Sequence, residues 1–147
     1  PNADSLGRRD APSVEEAEAM HTPQDDEQSA LLDTIHSYLD GFYAGDVAKL
    51  ATVFHPTCAL TQSCDGELHI IKRGLWLEMV QQRPSPAALG LPRVAQILSV
   101  DMVGPHMAHV KLKCAIVPRY FTDMLSLLKV EGRWQVVQKV YSTADAP

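Results

Sequence analysis

The spacing of the hydrophobic residues changes once along this chain, and that change limits the fold more than any other feature. Over residues 31–54, large apolar side chains recur every three or four positions, beginning with Leu31, Ile35 and Tyr38. Such spacing predicts amphipathic helices. Beyond the proline-rich residues 84–92, apolar and polar residues alternate, and alternation predicts strands. Helices followed by a run of strands are typical of an α+β fold with an antiparallel sheet.

Capping and turn residues divide the chain into predicted elements. Asp46 can cap the start of a second helix, and Pro56 ends that helix because its ring excludes continuation. Asp65-Gly66 predicts a tight hairpin turn, since both residue types readily take positive φ. The first helix is predicted from about residue 26 to between 41 and 45, the others over 47–54 and 75–83, and the strands over 58–63, 67–72, 94–103, 107–117, 120–130 and 133–142.

The first 26 residues differ in composition from the rest. They are rich in Pro, Asp, Glu, Ala and Ser and poor in large apolar groups, so little there offsets the entropy that ordering would cost. We therefore predict an acidic, flexible arm over 1–26. Ser13 and Glu16 resemble a capping box, and one short helix that begins there is the alternative to a solvated arm. The remainder, 27–144, is predicted to form one domain, because a chain of 147 residues is of single-domain size.

Charge and cysteine usage narrow the partners and the compartment. Residues 1–30 carry two basic and eight acidic side chains, a net charge of −6, whereas the remainder carries eleven basic and ten acidic side chains, a net charge of +1. A nearly neutral domain has no basic field to hold a phosphate backbone, so we expect no nucleic acid partner. No apolar stretch reaches the roughly 20 residues of a membrane span. Three cysteines without metal-ligand spacing and the lack of a signal-peptide pattern favour a reducing, cytoplasmic location.

The helical first part and the strand-rich last part of the chain resemble a known superfamily. Ile35-His-Ser-Tyr-Leu-Asp-Gly41, with Gly45-Asp46 and Phe54-His55-Pro56, resembles the opening of nuclear-transport-factor-2-like domains. Residues 97–111 and 121–141 are similar to the "putative lumazine-binding" subfamily of the polyketide-cyclase-like branch. The resemblance implies a cone-shaped α+β roll, in which a strongly bent antiparallel or mixed sheet wraps around an N-terminal helix and two shorter helices. It also implies a homodimer paired through the sheet, but no single reaction, since this fold hosts many chemistries.

Asp123 and Lys139 form the first candidate site. If Glu131-Gly132 makes a two-residue turn with regular pairing, Asp123 lies opposite Val140 and Lys139 points to the other face. A one-residue bulge would instead put both side chains on one face, where they can pair. Lining an apolar pocket, Asp123 would be a candidate general base and Lys139 would orient a carbonyl or anionic group. The alternative is a surface ion pair or two solvated side chains.

Aromatic and imidazole side chains on the predicted helices form the second candidate site. Tyr38 can donate a hydrogen bond to a ligand oxygen, Trp76 can supply a flat wall for a ring, and His55 can shuttle protons near neutral pH. Phe54 and Met79 are the other helical residues that we place nearest the pocket. The simpler interpretation is that Tyr38 and Trp76 belong to the core and that His55 bonds the last carbonyls of its helix.

His106, His109 and Asp101 are the only grouping that invites a metal interpretation, and turn and surface positions account for them better. No further ligand follows them at a firm spacing. We therefore predict neither a metal nor a cofactor.

Three functions remain open at the level of sequence. The leading hypothesis is a bacterial domain whose apolar pocket binds a small aromatic or polyketide-like molecule. The first alternative is an isomerase- or cyclase-type enzyme, in which Asp123 or His55 abstracts a proton and Tyr38 stabilises the enolate oxygen. The second alternative is a non-catalytic homodimerisation module whose cavity is filled by its own side chains.

Overall fold

Three helices and six strands make up the part of the chain that the structure describes. The computed structural model describes residues 22–147 together with Ala11, Ser13 and Val14. The three helices and six strands predicted over residues 26–142 are confirmed, with boundaries that shift by three residues or fewer. In chain order the elements are α1 (Pro23–Ala44), α2 (Val47–Val53), β1 (Ala59–Cys64), β2 (Glu67–Lys72), α3 (Arg73–Gln82), β3 (Ala95–Val103), β4 (Met107–Ile116), β5 (Arg119–Val130) and β6 (Arg133–Ala144).

Local capping residues set the two ends of α1. The Thr22 side chain accepts a hydrogen bond from Asp25 N, and the Asp25 side chain accepts one from Thr22 N, which makes a capping box. Pro23 occupies the first turn, where backbone N–H groups have no partner within the helix. The N–H that proline lacks therefore costs no hydrogen bond. The helix therefore begins three residues before the apolar spacing indicates. Gly45 ends it in the left-handed conformation, with φ of 67°.

The six strands form one open, mixed sheet in the order β2-β1-β6-β5-β4-β3. All neighbouring strands are antiparallel except β1 and β6, which run parallel. The turns Asp65-Gly66 and Glu131-Gly132 have positive φ at both residues, as two-residue hairpins favour. The element order indicates an antiparallel sheet, and the observed sheet differs at one pair of strands. The β1–β2 hairpin joins the β3–β6 meander beside β6, and β1 runs parallel to that strand.

The core lies between the helices and one face of this sheet. In β4, Val110, Leu112 and Cys114 are buried at alternate positions. Near the start of α1, Glu27 accepts hydrogen bonds from Lys129 Nζ at 2.5 Å and from Trp134 Nε1 at 3.1 Å, which tie the helix to the β5–β6 hairpin. These contacts fix α1 against the strands, and the fold is the predicted α+β cone.

Three further sequence expectations concern the N-terminal arm, membrane spans and the cysteines. The predicted short helix near Ser13 and most of the predicted arm lie outside the described residues. No helix within the described part is long and apolar enough to cross a membrane. The thiols of Cys58, Cys64 and Cys114 are all free, and only Cys64 is exposed.

Candidate functional site

Three buried polar side chains meet where α1 crosses β5 and β6. The Tyr38 hydroxyl donates a hydrogen bond to Asp123 Oδ2 at 2.5 Å and accepts one from Lys139 Nζ at 2.9 Å. Lys139 Nζ lies 3.3 Å from Asp123 Oδ2, so these two residues form an ion pair. The exposed fractions of the lysine and aspartate side chains are 5% and 0%. We call Tyr38, Asp123 and Lys139 the buried triad.

A bulge in β6 puts Asp123 and Lys139 on the same face of the sheet. The register between β5 and β6 shifts by one residue at Val137, which has no partner in β5. Asp123 consequently lies opposite Tyr141, and the regular register that would pair it with Val140 is wrong. Because strand residues two positions apart share a face, Lys139 lies on the same side as Tyr141. The bulged alternative is therefore confirmed.

Burial controls the protonation of the groups around Asp123. Burial, followed by the charge of Asp123, raises the pKa of Tyr38 well above its ordinary value, so the phenol keeps its proton. Burial and then the same carboxylate raise the pKa of the Cys114 thiol to about 12, and Cys114 Sγ lies 3.9 Å from Asp123 Oδ2. None of the described residues donates a hydrogen bond to Asp123 Oδ1. Oδ2 of Asp123 thus has close hydrogen-bond donors, whereas Oδ1 has no donor among the described residues.

Lys139 is the triad member that lines a cavity of about 190 Å³, which we call the triad cavity. The Lys139 Nζ atom lies 5.3 Å from the ring centroid of Trp76 and 5.1 Å from that of Tyr141. These distances are within the range of cation–π attraction. The lining residues are Phe42, Leu60, Gln62, Ile71, Trp76, Met79, Arg83, Arg119, Phe121, Lys139 and Tyr141.

The helical candidates lie in or directly behind this cavity. Trp76 and Met79 line it, and Tyr38 is fully buried behind Lys139. Phe54 is 1% exposed and does not line the cavity. Its ring centroid lies 5.2 Å from that of Tyr38 and 4.9 Å from that of Trp76. Phe54 therefore packs against both of these aromatic rings.

His55 lies apart from the triad cavity. Its Nδ1 atom is 2.7 Å from Thr57 Oγ1 and accepts a hydrogen bond from Thr57 N at 3.2 Å. The His55 backbone N–H donates to Val136 O at 2.9 Å, which fixes the end of the second helical segment beside β6. The imidazole therefore has local partners and is not among the cavity-lining side chains.

Sequence reasoning did not identify four polar residues that line the cavity, Gln62, Arg83, Arg119 and Tyr141. Two of them carry a periodic signal. Arg83 follows Trp76 by seven residues, which is two helical turns, and Tyr141 lies two residues after the predicted lysine in a strand. Gln62 and Arg119 carry no such signal, because only strand pairing brings them to this place.

The histidines considered as metal ligands lie elsewhere. Asp101 and His109 oppose each other in β3 and β4 and border a separate groove. His106 lies in the turn between these strands, where its carbonyl accepts a hydrogen bond from Lys129 N. Within the described part of the chain, no three His, Cys, Asp or Glu residues are grouped to hold a metal ion.

The profile of the family described as "Putative lumazine-binding" matches residues 26–142, which includes every member of the buried triad. The chain belongs to this family. Two solved structures share its nuclear-transport-factor-2-like fold, and both are described as being of unknown function. The protein from Shewanella baltica is 26% identical, with a TM-score of 0.73, and the match covers 84% of this chain and 98% of that one. The protein from Silicibacter pomeroyi is 24% identical, with a TM-score of 0.71, and the match covers 81% and 97%.

One relative of this lumazine-binding-family chain is named as an enzyme. The aldolase FrzH of a Cladobotryum species is 25% identical over 117 residues, which cover 78% of this chain and 90% of that protein. The relatives therefore include both proteins of unknown function and a protein named as an aldolase.

Proposed function

We propose that the triad cavity binds a small, ring-bearing molecule and that Lys139 holds a carbonyl or other oxygen acceptor of that molecule. The observation that carries the proposal is a lysine that is only 4% exposed yet lines a cavity walled by Trp76 and Tyr141. An ammonium group has three donors. One of them bonds the Tyr38 hydroxyl, and the ammonium also pairs with Asp123, which leaves at least one donor for a ligand.

The energetics of burial support a binding role over a purely structural one. A buried ion pair costs desolvation energy, and well-packed apolar side chains of similar volume are often at least as stabilising. The cavity volume of about 190 Å³ also exceeds the roughly 150 Å³ of an apolar cavity that accommodates benzene. Trp76 and Phe121 offer flat apolar walls. One substituted ring with an oxygen near Lys139 matches this volume and lining.

Native mass spectrometry of the protein purified from its host, followed by denaturation, would identify a bound molecule. Calorimetry with that molecule then tests the role of the lysine. We expect the charge-balanced Lys139→Met/Asp123→Asn variant to bind at least about tenfold more weakly, since it loses a charged hydrogen bond. Lys49→Met, at an exposed position of α2, is the control and should bind as the wild type does. Equal affinity of all three proteins would contradict the proposal.

Carbonyl catalysis is a second candidate function, favoured by the free Oδ1 of Asp123 and by the relative named as an aldolase. In this scheme the Lys139 ammonium donates to the substrate carbonyl. The carboxylate of Asp123 accepts the proton from the adjacent carbon, and the resulting enolate oxygen is stabilised by the ammonium. His55 is the other candidate base. Neither Asp123 nor His55 is among the cavity-lining residues, so either base would require a substrate that reaches beyond that lining.

Proton exchange distinguishes catalysis from binding. The α-proton signal of the identified ligand should disappear in D₂O when the wild-type protein is added. Asp123→Asn should abolish this exchange while binding persists, and His55→Gln should leave it unchanged. Exchange that is no faster with protein than without it would leave binding as the function.

The outer face of the sheet supports pairing of two copies of this chain. Met107, Met124, Leu128 and Val140 are each at least 40% exposed on β4, β5 and β6. Exposed apolar patches of this kind are typical of interaction surfaces. We propose a homodimer in which two such faces pack together.

A further inference from the structure

The charges that line the triad cavity do not balance. Its lining includes three cations, Lys139, Arg83 and Arg119, and no Asp or Glu. Asp123 lies directly behind Lys139. It compensates the charge of this lysine and not the charges of the two arginines. The two arginines therefore leave a net charge of +2 on a small, mostly apolar cavity. Such a concentration of positive charge attracts an anion.

Neither arginine has an acidic partner among the described residues. Among the described residues, one arginine forms an ion pair: Arg93 pairs with Asp40 at 2.5 Å, well outside this cavity. Asp145 borders the neighbouring groove that Arg83 and Arg119 also line, but it forms no ion pair with either. Both arginines thus line the triad cavity as well as the outer groove, and neither side chain forms a hydrogen bond or ion pair with another described residue.

Arg83 is held in place without being neutralised. It follows the last turn of α3, its backbone N–H donates to Met79 O, and its guanidinium carbon lies 6.0 Å from the ring centroid of Phe42. Burial, and then the charge of Arg119, lower the pKa of Arg83. The two cations therefore repel each other, and an anion between them would relieve that repulsion.

We infer that Arg83 and Arg119 form an anion subsite and that the ligand of the triad cavity carries a carboxylate beside its ring and carbonyl oxygen. This inference rests on the proposed binding function, because it names the class of ligand for the same cavity. Guanidinium groups fit a carboxylate with two parallel hydrogen bonds. Gln62, also in the lining, adds an amide that can donate to the same group. The ligand class is an aromatic or alicyclic oxo acid.

Benzoylformate and its methyl ester test the subsite, since they share a ring and a ketone and differ in the charge of the carboxyl group. Titrations are followed by NMR of ¹⁵N-labelled protein, which detects millimolar binding. The indole N–H of Trp76 reports on the cavity. The indole of Trp134, which donates to Glu27, reports on a distant site in the same spectrum. The arginine Nε–Hε signals of Arg83 and Arg119 report on the subsite.

We expect benzoylformate to shift the Trp76, Arg83 and Arg119 signals and to bind at least about tenfold more tightly than the ester, because it gains charged hydrogen bonds. The Arg83→Gln/Arg119→Gln variant should bind both compounds equally, whereas Arg93→Gln should keep the preference. Equal binding of both compounds by the wild-type protein, or a preference that survives in the double variant, would overturn the subsite and leave the proposed binding function standing. If neither compound moves the Trp76 signal, or if Trp134 shifts to the same extent, the subsite and the proposed function both fail.

Discussion

Lys139 and Asp123 place two opposite charges in a region with almost no contact with solvent. Their separation of 3.3 Å and the shared Tyr38 hydroxyl give each charge a close partner. Favourable geometry of this kind offsets desolvation, but removal of one partner leaves the other as an uncompensated buried charge. At the scale of single residues, the stability of this protein is therefore most sensitive to changes that unbalance the triad.

Removal of the Lys139 charge alone is expected to be strongly destabilising. Lys139→Met should lower the free energy of unfolding by about 3–5 kcal/mol, because Asp123 remains buried without its cation. The double variant Lys139→Met/Asp123→Asn should recover part of this loss. Urea unfolding followed by circular dichroism measures both. Arg93→Gln, which breaks an exposed ion pair, is the control, with an expected change of about 1 kcal/mol or less. A single variant no worse than the double variant would contradict this account.

Stability should also fall with rising pH because of Cys114. Its pKa is about 12 in the folded protein against an ordinary 9.0, so the unfolded chain releases the thiol proton first. The stabilisation is complete below pH 9 and is lost as the pH rises toward 12, by roughly 1.4 kcal/mol per pH unit at most. Tm measured from pH 8 to 10.5 should fall less steeply in Cys114→Ala, while Cys64→Ala, at an exposed position, should keep the wild-type slope. Parallel curves for all three proteins would exclude Cys114 as the cause.

At the scale of elements, two hydrogen bonds fix the end of α1 against the loop of residues 83–94. Ala87 N donates to Tyr43 O, and the Tyr43 hydroxyl donates to Leu91 O at 2.8 Å. Gly45 closes the helix at φ of 67°, and a Cβ added there would come within 2.9 Å of Ser85 Cβ. The helix end and the loop therefore require a glycine for both backbone conformation and space.

Two glycine substitutions should consequently have opposite signs. Gly45→Ala is expected to destabilise the fold by about 1–3 kcal/mol, since it combines a left-handed backbone with a steric clash. Gly74→Ala, in the first turn of α3 with no atom near the added Cβ, is expected to stabilise the fold by about 0.5 kcal/mol. Thermal unfolding of both variants measures the difference. A Gly45→Ala protein as stable as the wild type would show that the loop adapts without cost.

At the scale of the whole molecule, the sheet separates two surfaces that differ in exposure and in the residues they carry. Its inner face holds Asp123 and Lys139 against α1, whereas its outer face leaves Met124 opposite Val140, 44% and 54% exposed. A second copy that covers this outer face would remove apolar area from water without touching the triad cavity. Association and ligand binding should therefore be separable by mutation.

Met124→Glu should convert a homodimer to a monomer while the affinity for the cavity ligand stays unchanged, because it places a charge at the centre of the outer face. Light scattering coupled to size-exclusion chromatography measures the mass. Leu75→Glu, at a 55% exposed position on α3, is the matched control and should remain dimeric. A monomeric wild-type protein, or a Met124→Glu variant that stays dimeric, would contradict pairing through this face.

Much of the secondary structure follows from local patterns, and so does the family. The spacing of Leu31, Ile35 and Tyr38 specifies a helix, and the positive-φ pairs Asp65-Gly66 and Glu131-Gly132 specify the hairpins, because both depend on neighbouring residues only. The same patterns selected the triad residues as candidates. They could not place Arg119 at the cavity, since that requires β5 and α3 to come together in three dimensions.

Sequence by itself determined the order of elements, the α+β class and the chemical groups available to a site. The tertiary structure decided which of those groups meet. A single unpaired residue, Val137, exchanges the faces of the strand beyond it and thereby brings Lys139 to Asp123. Nothing local in residues 133–144 requires that bulge, because a strand has no preferred face until another layer covers one side. Packing of α1 against the sheet supplies that layer, and burial of Tyr38 between Asp123 and Lys139 selects the register.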